Sequence, residues 1–302
     1  MSSSNPNPSF DISTQATPSN IYGYIPSKTS ALAFIVLFGL ATLIHSGTAI
    51  KKRMWFWFPT VVLGGALETV GWSGRLWSHH TPTSVPAFQL QIIMLINGPT
   101  PLLAANFIIF GRIIRVLGTS YSRLQPLMYT TIFVFCDVVS LAVQGGGGAV
   151  AAKATDLAGA NRGGNIMLGG IAFQLFVIVA YLVLAVEYFV RYTFDKPINS
   201  LGIAASAQNR EFQRGQLTEK MRAMLVALLF NTLCLFVRAV FRTIELAEGW
   251  RGRLIQTQLY FDVLDGAMIV LATYAFILGH PGWLLEHKPI TEEQASPSGD
   301  AL

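Results

Sequence analysis

The sequence predicts an all-α integral membrane protein, a bundle of seven transmembrane helices with its N-terminus outside and its C-terminus in the cytoplasm. Three observations lead to this prediction: the composition, the length of the apolar runs, and the distribution of Lys and Arg between them. Of the 302 residues, 52% are hydrophobic and 12% are charged, and this charged share is about half that of a soluble domain. The net charge is +5, but the basic residues lie in short segments between apolar runs, so we expect no nucleic-acid partner.

Seven apolar runs are about twenty residues or longer, the length at which a helix crosses ~30 Å of hydrocarbon. The predicted spans are 31–50, 54–77, 88–110, 126–152, 166–190, 221–247 and 256–279. The membrane domain is therefore expected over 30–280, between polar segments that are too poor in apolar residues to fold. These segments predict a disordered extracellular tail over 1–29 and a disordered cytoplasmic tail over 281–302.

Orientation follows from the Lys and Arg residues of the connecting segments. Thirteen lie on the side reached after the first, third, fifth and seventh spans, and five lie on the opposite side. The side richer in Lys and Arg is the cytoplasmic one. The N-terminus is therefore predicted to be outside. This topology suits the plasma membrane, although an endomembrane location stays open.

Charged and amide side chains interrupt four of the predicted spans at helical spacing. Glu68 and Arg75 in the second span are seven residues apart. The same spacing recurs in the fourth, sixth and seventh spans, for Asp137 with Gln144, Arg238 with Glu245, and Gln258 with Asp265. Seven residues is close to two helical turns, so each pair lies on one face of its helix. Because lipid cannot solvate such faces, we expect them to converge inside the bundle.

The charges within the spans do not cancel, because three arginines meet five carboxylates. One or two of the acids are therefore expected to be protonated, to lie at headgroup level, or to pair with a cationic ligand. Interhelical polar contacts average under ~1 kcal/mol, so helix pairing alone is a weak reason for so many charges. We expect one connected interior network that binds substrate. Its predicted substrate-binding residues are Glu68, Arg75, Asp137, Gln144, Arg238, Arg242, Glu245, Asp262 and Asp265.

Two prolines, Pro99 and Pro101, fall in the middle of the third predicted span. Proline has no backbone N–H, so the carbonyls of Leu95 and Asn97 are predicted to lack their helical partners. Irregular backbone at this depth is tolerated where it lines a cavity or is buried in protein. Two interpretations therefore stand: the segment lines a cavity, or it is a simple kink in a packed helix.

Five segments resemble motifs of the fungal RTA-like family, the lipid-translocating exporters. The segment ETVGWSGR is similar to that family's E-x-x-G-[YW]-x-x-R, FCDVVSLAVQGGGG to its D-x-x-S-x-x-x-Q with glycines, and RAVFRTIE to its R-x-x-[FY]-R-x-x-E. GGIAFQ resembles the Gly and Gln pair of its fifth helix, which adds Gln174 to the predicted substrate-binding residues. The last span with GHPG is similar to the family's closing D and H-P-G. The similarity covers about residues 23–285.

The resemblance implies a protein that translocates, or gives resistance to, sphingoid bases, sterol-like amphiphiles and toxic lipophilic compounds. Its partners are then membrane lipids or lipophilic small molecules, with no cofactor, no metal and no catalytic residue. Two positions depart from the family pattern, which has a glutamate and a tyrosine ahead of the last aspartate. This chain has Gln258 and Asp262 there. If that glutamate couples transport to protons or cations, Asp262 would have to replace it.

Two other classes remain as alternatives to a lipid translocator. A seven-helix receptor or sensor for lipophilic ligands would use the basic segment 191–222 as its coupling surface. An intramembrane metal hydrolase would need a cluster of histidines, but His45 is the single histidine of the first span and has no ligand spacing around it. We therefore expect a non-enzymatic protein. The sequence leaves its oligomeric state open.

Overall fold

In a computed structural model of the chain, the described residues are 24–154, 157–198, 215–249 and 252–279, and they form helices joined by turns, with no strand among them. The helices are α1 (Lys28–Lys51), α2 (Leu63–His80), α3 (Val85–Asn97), α4 (Pro99–Leu117), α5 (Pro126–Lys153), α6 (Leu157–Thr193), α7 (Glu219–Ala247), α8 (Gln258–Phe261) and α9 (Met268–Leu278). A π-helical turn, Phe58–Val62, leads into α2, and a second, Asp262–Ala267, joins α8 to α9.

Six helices of the described chain are long and apolar enough to cross a membrane. They are Lys28–Lys51, Val85–Leu117, Pro126–Ala151, Ala158–Thr193, Glu219–Ala247 and Gln258–Leu278. The predicted all-α membrane bundle is therefore confirmed. The second predicted span, 54–77, is also helical, through the 3₁₀ turn Trp55–Trp57, the first π-helical turn and α2. It is not among the six, because α2 carries four glycines, two serines and two histidines alongside Glu68 and Arg75 and is therefore low in hydropathy.

The bounds differ from the prediction mainly in the third and fifth spans. The third is two helices, α3 and α4, which meet at Gly98 directly before Pro99. The fifth is α6, which begins nine residues before the predicted start at 166. Glycines and polar residues at 157–165 hid this first part of α6 from a search for apolar runs.

Residues 24–29 were predicted as part of a disordered tail, and this is wrong. The Tyr24 hydroxyl accepts a hydrogen bond from Arg75, and His79 Nδ1 lies 2.8 Å from the Pro26 carbonyl oxygen. The Ser27 N–H donates to Gln258 Oε1 at 3.0 Å, and α1 begins at the next residue. Polar partners on α2 and α8 therefore hold this segment to the bundle. The rest of that predicted tail, and the predicted C-terminal tail, lie outside the described residues.

His45 is a buried structural histidine that joins three elements. Trp57 Nε1 lies 3.1 Å from His45 Nδ1, and His45 Nε2 lies 3.1 Å from the Thr273 carbonyl oxygen. The indole N–H can only donate, so His45 Nδ1 accepts and Nε2 carries the proton that is donated to Thr273. The neutral ring thus connects α1, the turn before α2, and α9.

Replacing Trp57 by phenylalanine is expected to lower the free energy of unfolding by about 1–3 kcal/mol, because His45 Nδ1 is left buried without its donor. The measurement is the thermal unfolding midpoint of the purified protein in detergent. The matched control is Trp55→Phe, since Trp55 is 69% exposed; its effect is expected to stay within about 0.5 kcal/mol. Equal effects of the two substitutions contradict the structural role of the Trp57–His45 contact.

Candidate functional site

The predicted substrate-binding residues lie inside the bundle, as their helical spacing indicated. All of them except Asp262 are at most 5% exposed, namely Glu68, Arg75, Asp137, Gln144, Gln174, Arg238, Arg242, Glu245 and Asp265. Asp262 is half-buried at the start of the second π-helical turn. The prediction that the polar faces point away from lipid is therefore confirmed.

Four of these residues form an ionic cluster, which we define as Arg238, Arg242, Glu245 and Asp265. Asp265 Oδ1 accepts from the Nε atoms of Arg238 and Arg242, both at 2.9 Å, and Asp265 Oδ2 accepts from Arg242 Nη2 at 2.9 Å. Arg242 also donates from Nη1 to Glu245 Oε2 at 2.7 Å. The two-fold contact of Arg242 with Asp265 is the strongest geometry for such a pair. The cluster therefore holds α7 against the second π-helical turn.

The proline break between α3 and α4 takes part in this arrangement. In an unbroken helix the Leu95 carbonyl would accept from the N–H of residue 99, but Pro99 has none. Arg238 Nη2 donates to the Leu95 oxygen at 2.7 Å instead. The prediction that the prolines leave the Leu95 carbonyl without a helical partner is confirmed. The freed carbonyl is bound to a buried arginine.

Glu68 lies beside the same break and has no hydrogen bond. Both of its carboxylate oxygens are buried and without a partner. Its charged neighbours are Asp265, Arg238 and Arg242 of the ionic cluster. A Cβ placed on Gly98 would lie 2.9 Å from Glu68 Cδ and 3.0 Å from Cγ. Only a glycine at position 98 therefore leaves room for this carboxylate.

Arg75 does not pair with Glu68, although the two share one face of α2. Its Nη2 donates to the Tyr24 hydroxyl at 2.7 Å, and its Nε is buried without a partner. Burial raises the pKa of the Tyr24 hydroxyl, against the lowering effect of Arg75, so Tyr24 is a neutral phenol. The Arg75 guanidinium lies 4.4 Å from the centre of the Phe261 ring, and the Arg242 guanidinium lies 5.0 Å from the same ring. The aromatic ring therefore stabilises both cations where Arg75 has no carboxylate.

A second polar set, which we call the amide group, consists of Thr100, Ser140, Gln144 and Gln174. Gln144 Nε2 donates to Ser140 Oγ at 2.8 Å and to Gln174 Oε1 at 3.2 Å. Gln174 Nε2 donates to Thr100 Oγ1 at 3.1 Å, and Ser140 Oγ donates to the Gly170 carbonyl at 2.6 Å. The group connects α5 and α6 to the first turn of α4.

Asp137 lies one turn before Ser140 on the same face of α5. Both of its carboxylate oxygens are buried and make no hydrogen bond, and the Gln174 amide is its polar neighbour. No hydrogen bond of the described residues connects the amide group to the ionic cluster. The predicted single network is therefore two separate groups, with Glu68, Arg75 and Asp137 outside the ion pairs.

The sequence did not single out several residues that complete these contacts. Tyr24 fell in a predicted tail, and Phe261 is one of many aromatic residues in the spans. Thr100 had a usable signal, since it directly follows the proline break. Within the described residues, no group of three or more His, Cys, Asp or Glu side chains is arranged to hold a metal ion.

An all-α membrane bundle with buried ion pairs, a broken helix and buried carboxyls without partners defines a multi-pass membrane protein with a polar interior, the kind of interior found in transporters and other substrate-handling proteins. The comparison with known sequences then gives the family. The chain belongs to the family described as RTA1 like protein, whose sequence profile matches residues 61–288. The resemblance seen in the motifs is therefore confirmed.

Three yeast relatives show how far the similarity extends. The sphingoid long-chain base transporter RSB1 of Saccharomyces cerevisiae (strain JAY291) is 29% identical, over 93% of this chain and 80% of the relative. Protein RTA1 of S. cerevisiae (strain ATCC 204508 / S288c) is 26% identical, over 86% of this chain and 84% of the relative. Protoporphyrin uptake protein 1 of the same strain is 25% identical, over 86% and 91%. No solved structure matches the chain.

Proposed function

We propose that this protein moves amphiphilic lipids of the sphingoid-base type across or within the bilayer. One observation carries the proposal: Glu68, Arg75 and Asp137 are buried ionisable groups that have no ion-paired partner among the described residues. Such groups are costly in a membrane and mark substrate or ion pathways. The names of the yeast relatives support a lipid as the substrate, and they do not favour a receptor. The proposal includes no chemical step.

We assign different roles to the predicted site residues. Arg75 is the group for an anionic or hydroxyl part of the headgroup, and Glu68 and Asp137 are the groups for its amine. Gln144 and Gln174 line the path between them. The remaining residues, Arg238, Arg242, Glu245 and Asp265, bond to one another and act as positioning residues, because their hydrogen-bonding capacity is largely used.

Asp262 has a separate place in the proposal. It accepts a hydrogen bond from Gln258 Nε2 at 3.0 Å, and Gln258 Oε1 accepts from the N–H of Ser27, the residue before α1. Its second carboxylate oxygen is buried without a partner. We propose that Asp262 takes the place of the family's glutamate in coupling transport to protons or cations.

The proposed topology has seven spans, with the N-terminus outside and the plasma membrane as the location. The second span is α2, whose glycines pack against α1 and α3 and whose charged face is thereby kept from lipid. Thirteen basic residues against five support a cytoplasmic C-terminus. Movement of a sphingoid base between leaflets requires helices that cross the whole bilayer, as these seven spans would.

The test is movement of a fluorescent sphingoid base in liposomes that contain the purified protein, followed by chemical quenching of the outer leaflet. Wild type is expected to move the probe with no partner protein present, and Arg75→Gln is expected to slow it at least tenfold. The matched control is Arg123→Gln, since Arg123 is exposed and pairs with Glu187 on the surface. Probe movement that is absent in wild type under every imposed gradient contradicts the transport function and favours a receptor.

A further inference from the structure

We infer that Asp137 binds the amine of a long-chain amphiphile whose hydrocarbon chain lies in an apolar groove between α3 and the joined ends of α5 and α6. The class of amphiphile rests on the proposed function, whereas the site rests on the structure alone. The argument has three parts: the missing counterion of Asp137, the shape of the groove, and the helix face that connects them.

Asp137 lacks the counterion that a buried carboxylate needs. It is 1% exposed, and the polar side chains around it are uncharged. Asp265, buried to the same degree, has two arginines on its oxygens. A single carboxylate in a low-dielectric interior is expensive to ionise unless a cation joins it. No described Lys, Arg or His fills that role, so an ionised Asp137 takes its cation from a ligand.

The groove is an apolar cavity of about 300 Å³, at the lower end of the volumes of small-molecule sites. Its wall includes Phe88, Ile92, Gly148, Ala151 and Met167. Gly148 is buried at the wall of the cavity, and a Cβ there would meet only Met167 Sδ, at 3.9 Å. Its neighbour Gly147 is packed closely, with Met167 N 2.6 Å from such a Cβ. The missing side chain of Gly148 therefore leaves the cavity open, whereas the space beside Gly147 is filled by α6.

One face of α5 leads from the groove to the carboxylate. Asp137, Gln144, Gly148 and Ala151 follow one another at spacings of seven, four and three, so they lie on a single stripe. The fourteen residues from Asp137 to Ala151 span about 21 Å of helix. One leaflet of hydrocarbon is only about 15 Å thick. The groove end of this stripe is therefore within the reach of a long alkyl chain whose amine is at Asp137.

Met167 separates the groove from the amide group. It lines the cavity and lies one turn before Gly170, whose carbonyl accepts from Ser140. A methionine side chain has three rotatable bonds and moves at low cost. On the opposite wall, α3 ends at the Gly98–Pro99 break and packs mainly against α2. We place the path of the chain from the groove to Asp137 beside these two features.

The experiment is a binding titration of the purified full-length protein in detergent with two probes, a long-chain amine labelled at its tail and the alcohol of equal chain length with the same label. Wild type is expected to bind the amine at least tenfold more tightly than the alcohol. Asp137→Asn is expected to remove this preference, and Asp137→Glu to keep most of it. Gly148→Leu is expected to weaken binding of both probes at least tenfold. The matched control, Gly146→Leu, is expected to weaken neither, because Gly146 is exposed with nothing within 4 Å of its Cβ position.

Three results overturn the inference: an unchanged amine preference in Asp137→Asn, unchanged binding in Gly148→Leu, or competition by phosphatidylcholine as strong as that by the amine. Thermal unfolding midpoints verify that each variant is folded. If Asp137→Asn is not folded, the preference for the amine over the alcohol is measured in Asp137→Glu instead. Failure of the inference is distinct from failure of the proposed function. If wild-type liposomes move the probe and Asp137→Asn liposomes move it equally fast, only the inference is lost. If wild type binds the amine through Asp137 but moves nothing, only the transport function is lost.

Discussion

Replacing Asp265 by alanine is expected to lower the free energy of unfolding by about 3–5 kcal/mol, because removing one partner of a buried ion pair leaves an uncompensated charge. Here it leaves Arg238 without a carboxylate and Arg242 with Glu245 alone, since Asp265 accepts three hydrogen bonds from the two arginines. Lipid movement in liposomes is expected to be abolished, because α7 and the second π-helical turn lose their connection. The measurements are the thermal unfolding midpoint in detergent and the rate of probe movement.

The matched control for the change in unfolding midpoint, although not for lipid movement, is Asp262→Ala. Asp262 is half-buried and makes one hydrogen bond, to Gln258, so its loss is expected to cost about 1 kcal/mol. Arg242→Ala should resemble Asp265→Ala in both measurements. Membrane insertion is expected to be normal in all three variants, because the apolar residues of the spans are unchanged. Full lipid movement by Asp265→Ala or Arg242→Ala excludes a role of the ionic cluster in transport.

Replacing Gly98 by alanine is expected to displace the Glu68 carboxylate and to reduce lipid movement at least tenfold. The added methyl group overlaps Glu68 Oε1 and lies 2.9 Å from Cδ, and overpacking of this kind costs about 1–3 kcal/mol. Gly47→Ala is the control, since a Cβ at Gly47 has nothing within 4 Å. This substitution, near the C-terminal end of α1, is expected to be neutral or to stabilise by about 0.5–1 kcal/mol.

A second substitution separates the steric effect from the loss of the acid. In the double variant Gly98→Ala with Glu68→Ala, the clash is removed, so the unfolding midpoint is expected to recover most of what Gly98→Ala alone loses. Lipid movement is expected to remain low, because the carboxylate is missing. A double variant that is no more stable than Gly98→Ala contradicts the close contact between Gly98 and Glu68.

The sequence predicted which faces are buried more reliably than which side chains meet. Helical spacing placed Glu68 and Arg75 on one face of the helix. That face was predicted to be buried because lipid does not solvate charged side chains. The spacing did not show that Arg75 bonds to Tyr24 and that Glu68 has no hydrogen bond, because partners depend on how the helices are rotated and offset. The Leu95 carbonyl is an informative intermediate case: proline chemistry predicted that it was free, but only the packed helices show that Arg238 binds it.

Hydropathy and packing disagree in three parts of the chain. The second span was predicted and is helical, but α2 is buried by its neighbours and carries glycines and charges, so it is less apolar than the six helices that are apolar enough to cross a membrane. The first turns of α6 are rich in Gly and Asn because they lie near the end of the helix, beyond the most apolar part. Residues 24–29 read as a polar tail, yet their hydroxyl, amide and carbonyl groups have partners on α2 and α8. Composition cannot detect such contacts.

The hydrogen bond from Arg238 to the Leu95 carbonyl connects the groove beside α3 to the ionic cluster. One side of α3 forms a wall of the groove, and its last turn is attached to the arginine that also binds Asp265. A ligand that displaces α3 outward would strain the hydrogen bond from Arg238 to the Leu95 carbonyl. Occupancy of the groove and the strength of the ion pairs are therefore coupled by a single free energy. By reciprocity, loosening the arginine changes how tightly the groove closes on its guest. Pro99, which frees the Leu95 carbonyl for Arg238, thereby couples the groove to the ionic cluster, although no hydrogen bond of the described residues joins the two regions directly.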